Sequence, residues 1–162
     1  MANEIPFTRF GVVDRNVAAS ESGHAFLLKL LDATHPAPPI SEACDLWLVE
    51  VAEGRVVFEA KPSARFYNPM GTMHGGWISA VLDSAMGCAV HSMLKAGQAY
   101  TTVELKLNFV RPLLQETGIV RCEGKIVHAG NRLATSEGRL TDAAGKLIAH
   151  GSETCMVFPA QV

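Results

Sequence analysis

Between Gly75 and Leu94 the chain reads GGWISAVLDSAMGCAVHSML, a stretch with one acid, Asp83, and no lysine or arginine. Its length suits a membrane span. An aspartate at mid-span, however, costs about 2.5 to 3.5 kcal/mol on insertion, and His91, three serines and three glycines further break the apolar run. The stretch therefore reads as a helix buried inside a globular protein. Ile78, Val81, Leu82, Ala85, Met86, Ala89, Val90 and Met93 recur at helical spacing, apolar nearly all round, up to a stop near Lys95-Ala-Gly97. The rest of the chain must supply a shell around it.

The material for that shell is strands. Cys44 to Val51 and Arg55 to Lys61 read as a hairpin across a tight Ala-Glu-Gly connection. Thr101 to Val110 alternates Val103, Leu105, Leu107 and Phe109 against Thr102, Glu104, Lys106 and Asn108, and Arg111-Pro112 closes it. Gly118 to Ala129, Arg132 to Thr141 and Leu147 to Phe158 follow, turned at Gly130-Asn131 and Asp142-Ala-Ala-Gly145. Upstream, Ser20 to Ala33 forms a short amphipathic helix with Ser20 or Ser22 as cap, stopped by His35-Pro-Ala-Pro-Pro39. The expected class is α+β: one antiparallel sheet of about six strands curled around the central helix. Residues 1–40 read as an N-terminal extension and 41–162 as the main domain.

At 162 residues the chain has room for one domain. Hydrophobic residues make up 48% and charged residues 19%, below the roughly 25% usual for soluble domains, which fits either a well-filled core or a hidden subunit interface. An open sheet edge favours pairing with a second copy. A formal charge of −2 offers no basic face for nucleic acid. Cys44, Cys88, Cys122 and Cys155 lie too far apart for a zinc site and too sparsely for a disulfide scaffold, so reduced, mostly buried thiols are expected. Histidines and carboxylates show no metal-site spacing, and no metal is expected. Residues Met1 to Arg15 carry Glu4, Arg9, Asp14 and Arg15 without an apolar block, so a cytoplasmic location is expected, with no membrane.

A lone carboxylate in a buried helix needs a reason, because its charge is expensive to desolvate. Asp83 reads either as a nucleophile or general base at a pocket wall, or as a structural acid tied to a neighbouring group. His74-Gly75-Gly76 stands where loop becomes helix, where first-turn N–H groups lack partners and carry the positive end of the helix. Gly75 or Gly76 N–H suits a developing oxyanion, while His74 reads equally as a helix cap. Asn68, before Pro69, is a polar site residue or an Asx turn. His91, two turns beyond Asp83, invites an acid-base pair but fits better as a core histidine. No G-x-S-x-G nucleophile elbow occurs.

The frame Asn68-Pro-Met-Gly-Thr-Met-His74-Gly-Gly-Trp-Ile-Ser-Ala-Val-Leu-Asp83, the strand Thr102 to Pro112, and the segments His128 to Leu133 and Asp142 to Ala149 together resemble the hotdog-fold thioesterases, in their PaaI-like branch of acyl-CoA thioesterases. The likeness runs over most of the chain, about Cys44 to Phe158. It implies a sheet wrapped around a sausage helix, with active sites at a dimer interface in a homodimer or dimer of dimers. By the same resemblance Asp83 is the carboxylate that attacks the thioester or activates water, and Gly75 the backbone donor that polarises its carbonyl, helped by His74. Asn68 then holds the water or thioester, and Thr102, one residue out of frame, orients water.

The implied activity is hydrolysis of an acyl-CoA to free acid and coenzyme A, which is substrate, with no separate cofactor. A same-fold dehydratase or hydratase, and a non-catalytic acyl-CoA-binding module, are the alternatives. Gly76 and Arg132 are candidate substrate contacts, and Arg111, Arg121, Lys125, Arg139 and Lys146 are further candidates for the nucleotide phosphates. Phe66, Tyr67, Met70, Met73 and Trp77 suggest an apolar acyl pocket or interface packing.

Overall fold

The computed structural model describes residues 9–160. Glu4 and the rest of the first eight residues lie outside the described part. Three short helices come first, α1 (Arg15–Ser20), α2 (Gly23–Leu31) and α3 (Pro39–Cys44). The helix expected over Ser20 to Ala33 is α2, capped by Ser22, whose side chain accepts from Ala25 N–H at 3.3 Å, and α1 before it was not anticipated. The third was not anticipated either. It starts with proline at its first position, where the missing N–H costs nothing, so the proline run expected only to stop a helix begins α3, α2 having already ended at Leu31 with Asp32 as its cap.

The central helix is α4 (Gly75–His91), somewhat shorter than the periodicity suggests, with Ser92 and Met93 in the turn beyond it. The six strands are β1 (Leu46–Ala52), β2 (Arg55–Ala60), β3 (Gln98–Phe109), β4 (Val120–Ala129), β5 (Leu133–Thr141) and β6 (Leu147–Pro159). They form one antiparallel sheet in the order β1-β2-β4-β5-β6-β3. Val81, Leu82, Ala85 and Met86 of α4 are fully buried, and share one core with Val56, Val120, Cys122 and Leu140 of the sheet and Leu27 of α2. Burying each of these larger aliphatic side chains stabilises the fold by about 1.5 to 3 kcal/mol. Helix and sheet approach so closely at Gly124 that a β-carbon there would stand 2.1 Å from the Ala85 carbonyl oxygen. Only glycine permits this contact.

One stripe of α4 departs from the expectation of an all-round apolar helix. Ser79, Ala80, Asp83, Ser84 and Cys88 are only half-buried, because the sheet does not close over them. At the edge of the sheet, β3 leaves one side unpaired and exposes Val103 and Phe109 by 57% and 52%. All four cysteines are free thiols. Among the described residues no helix is long and apolar enough to cross a membrane.

Candidate active site

His74 is the N-cap of α4: its Nδ1 accepts from Gly76 N–H at 2.9 Å. This fixes the acceptor nitrogen and spends the Gly76 donor on the cap. The His74 carbonyl meanwhile takes the N–H of Trp77 at 3.0 Å and of Ile78 at 3.4 Å. Of the first-turn donors, Gly75 N–H is the one left for a ligand, at the positive end of the helix. Of the two glycines singled out by sequence, the structure therefore favours Gly75 as donor, and Gly76 offers no free N–H.

Asn68 and Gly75 line the same cavity of about 320 Å³, together with Phe109, whose ring stands over Gly75, and Arg111. The Asn68 side chain holds its own loop as an Asx turn: Oδ1 accepts from Met70 N–H at 2.9 Å and Thr72 N–H at 3.3 Å, and Nδ2 donates to Thr72 Oγ1 at 2.9 Å. One Nδ2 proton remains to point at a ligand. The Asx-turn reading of Asn68 therefore holds, with its place on the cavity wall left over for a ligand.

Asp83 lies on the open stripe of α4, and Thr102 Oγ1 stands 3.2 Å from its Oδ1. This contact depends on a feature that alternation could not reveal. The β3–β6 register slips between Thr102 and Glu104, so that Thr102 pairs with Cys155 and Leu105 with Glu153. Cys155 and Glu153 are two apart on one strand and share a face, hence so do Thr102 and Leu105. The clean alternation expected over Thr101 to Val110 would have turned Thr102 away from α4; the bulge turns it in.

Glu153 is the site residue that the sequence reading missed. It is 1% exposed, and its Oε1 lies 2.9 Å from both Thr102 Oγ1 and Cys155 Sγ. Burial pushes its carboxyl up from 4.5 to about 7, with the nearby Asp83 charge adding to the effect. The signal was present: Glu153, Cys155 and Val157 alternate with Ser152, Thr154 and Met156, which places an acid on the buried face of β6. Gly87, one turn after Asp83, makes room for it, since a β-carbon there would approach Glu153 Oε1 to 3.4 Å and Tyr100 Oη to 3.1 Å.

The remaining candidates fall elsewhere. His91 packs against Phe26 and Tyr100 with ring centroids 5.2 and 5.5 Å away, and burial lowers its pKa to about 4, so it is a neutral, half-buried histidine held between aromatic rings. Arg132 sits exposed in the turn before β5. Arg121 pairs with Glu50 and Glu59 on the outer face of the sheet, which removes it from the phosphate candidates. Trp77 and Met73 are core, each 4% exposed, and Trp77 Nε1 donates to the Cys44 carbonyl at 2.8 Å. Phe66 and Tyr67 line a separate cavity beside His74, of about 380 Å³. Among the described residues no group of three or more His, Cys, Asp or Glu is placed to hold a metal.

Within one chain the two halves of the constellation stand apart. Asn68, His74 and Gly75 gather at the start of α4, while Asp83 and Thr102 meet eight residues on, about 12 Å along the axis at 1.5 Å per residue. One thioester cannot touch both.

The thioesterase superfamily model matches residues 70–149. An esterase-named protein of Saccharolobus solfataricus is 32% identical over 111 residues, which cover 68% of this chain and 77% of that one. Human acyl-coenzyme A thioesterase 13 is 31% identical over 108 residues, covering 66% and 76%. A thioesterase-named, phenylacetic acid degradation-related protein from Ralstonia eutropha superposes with a TM-score of 0.74 at 26% identity, covering 81% and 98%. The PaaI protein of E. coli shares the fold, with a TM-score of 0.70 at 19% identity over 91% and 99% of the two chains. The chain belongs to the thioesterase superfamily, in its hotdog-fold, PaaI-like branch, and is a thioester hydrolase.

Proposed function

We propose that the substrate is an acyl-CoA and that each active site is completed by two copies of the chain, with Asp83 and Thr102 from one and Asn68, His74 and Gly75 from the other. The observation that carries this reading is the hydrogen-bonded Asp83–Thr102 pair on the uncovered stripe of α4, with Asp83 about 12 Å along the helix axis from Gly75 and its free N–H. Two copies joined along the open β3 edges, with their helices antiparallel, would set the stripe of one against the helix start of the other.

The Asp83 oxygen held by Thr102 leaves the second oxygen free to take a proton from water. That water attacks the carbonyl carbon, and the negative charge gathering on the carbonyl oxygen meets Gly75 N–H at the helix start. The carbon–sulfur bond then breaks, Asp83 returns its proton to the leaving thiolate, and free acid and coenzyme A depart. A thiolate leaves readily, so one carboxylate and one oxyanion donor suffice without a Ser-His-Asp triad. Arg111, beside Asn68 and Gly75, is the basic residue of the second half of the chain that reaches this cavity, which supports it as a contact for the nucleotide phosphates. The name of the human relative, acyl-coenzyme A thioesterase 13, supports a coenzyme A thioester in particular.

The test is release of coenzyme A from a panel of short, medium, long and aryl acyl-CoA substrates, by wild type and by Asp83→Asn. The expected result is hydrolysis of at least one class, lowered by orders of magnitude in a variant that folds normally. Saturable acyl-CoA binding without thiol release across the panel would favour a binding module instead.

A further inference from the structure

Glu153 has a place in the site that hydrolysis by Asp83 alone does not explain. It is buried, none of the ion pairs among the described residues involves it, and its Oε2 has no hydrogen-bond partner. A permanently ionised carboxylate in that position would be costly. Thr102 adds a second constraint. Its hydroxyl has one proton and lies between two carboxyl groups, 2.9 Å from Glu153 Oε1 and 3.2 Å from Asp83 Oδ1. If both acids are ionised, one of them faces only the lone pairs of Thr102. If Glu153 carries a proton on Oε1, each contact becomes a hydrogen bond in a single direction: Glu153 donates to Thr102, and Thr102 donates to Asp83.

We propose that Glu153 is a positioning residue that works as a neutral acid, turning the Thr102 hydroxyl toward Asp83 and thereby holding the catalytic carboxylate ionised and aligned. Loss of the Glu153 proton turns the hydroxyl away from Asp83, toward Glu153, and places a second negative charge behind it. This rests on the assignment of Asp83 as the catalytic carboxylate.

The surroundings leave Glu153 as the group that switches. From α4 it faces Asp83 and Cys88, from β3 Tyr100 and Thr102, from β6 Cys155, and from β5 the paired Ser136. Burial raises Cys88, Cys155 and Tyr100, so these remain neutral through the working range. Ser136, the β5 residue paired with Glu153 in the ladder, has a buried and likewise unpartnered Oγ. With the Glu153 carboxyl at about 7, its working form is lost as pH rises through that value.

The experiment compares the pH dependence of kcat and KM in wild type and Glu153→Gln, following loss of the thioester directly by chromatography. Glutamine keeps the shape, cannot ionise and offers an N–H to Thr102. Wild type should lose kcat toward about ten-fold per pH unit above the midpoint, with KM little changed, while Glu153→Gln keeps most of its acid-side kcat and has no such limb. Glu153→Leu, which offers no donor, should lower kcat about ten-fold at every pH with KM unchanged. A carbon-13 carboxyl titration should show one glutamate with a midpoint near 7 that is missing from Glu153→Gln. The same alkaline limb in Glu153→Gln as in wild type, or a Glu153 signal titrating in the ordinary carboxylate range, overturns the proposal. Failure of the underlying assignment is distinguishable, because Asp83→Asn would then turn over normally.

Discussion

Replacing Glu153 by glutamine should change how stability depends on pH, independently of catalysis. The folded protein holds the Glu153 carboxyl at about 7 against an ordinary 4.5, so between these values it keeps a proton that the unfolded chain has released. Raising the pH through that window therefore favours unfolding. At about 1.36 kcal/mol per pKa unit, the cost to wild type amounts to about 3 kcal/mol once the pH exceeds about 7. Glutamine cannot ionise and escapes it. Urea unfolding of both proteins at equal protomer concentration, from pH about 5 to about 8, should show the difference in unfolding free energy swing toward glutamine by most of that amount. A difference that stays constant across the range would refute the reasoning, since it would mean that Glu153 titrates alike in the folded and unfolded chains.

Two further outcomes follow from particular contacts. Gly124→Ala should destabilise the fold by more than about 3 kcal/mol in thermal or urea unfolding, because its β-carbon would meet the Ala85 backbone at 2.1 Å and neither side chain nor rotamer can relieve it. Arg111→Ala should raise KM for acyl-CoA about ten-fold with kcat little changed, and leave unaffected a short thioester lacking the nucleotide, when initial rates are compared on the two substrates.

The fold was legible where burial imposes a period. The apolar repeat of α4 reports which residues meet the core, and the frame from Asn68 to Asp83 named residues of the proposed site. What escaped depends on pairing between distant segments. The slip at Thr102/Glu104 is set by how β3 lies on β6, and no local pattern reveals it, yet it alone turns Thr102 toward Asp83. Glu153 was overlooked because an acid within a polar-looking Gly-Ser-Glu-Thr run reads as a solvated face unless the register of the whole strand is carried through it. The half-open stripe of α4 was hidden for another reason: Ser79, Ala80 and Ser84 are small enough to fit a buried helix, and only the sheet's extent shows where cover stops.

The central claim, that Asp83 of one copy and Gly75 of another act on the same thioester, is tested most directly by mixed dimers. Gly75→Pro replaces the N–H donor by a ring carbon; proline is accepted at the first helical position, His74 before it is already extended, at φ −62° and ψ 135°, and the added β-carbon stands 3.4 Å from the Phe109 ring. Asp83→Asn and Gly75→Pro homodimers should each lose about a hundred-fold or more in turnover. Dimers carrying one copy of each, purified through a different tag on each chain, contain one site with both lesions and one with neither, and should regain about half of wild-type activity. Mixed dimers as inactive as their parents would contradict the account.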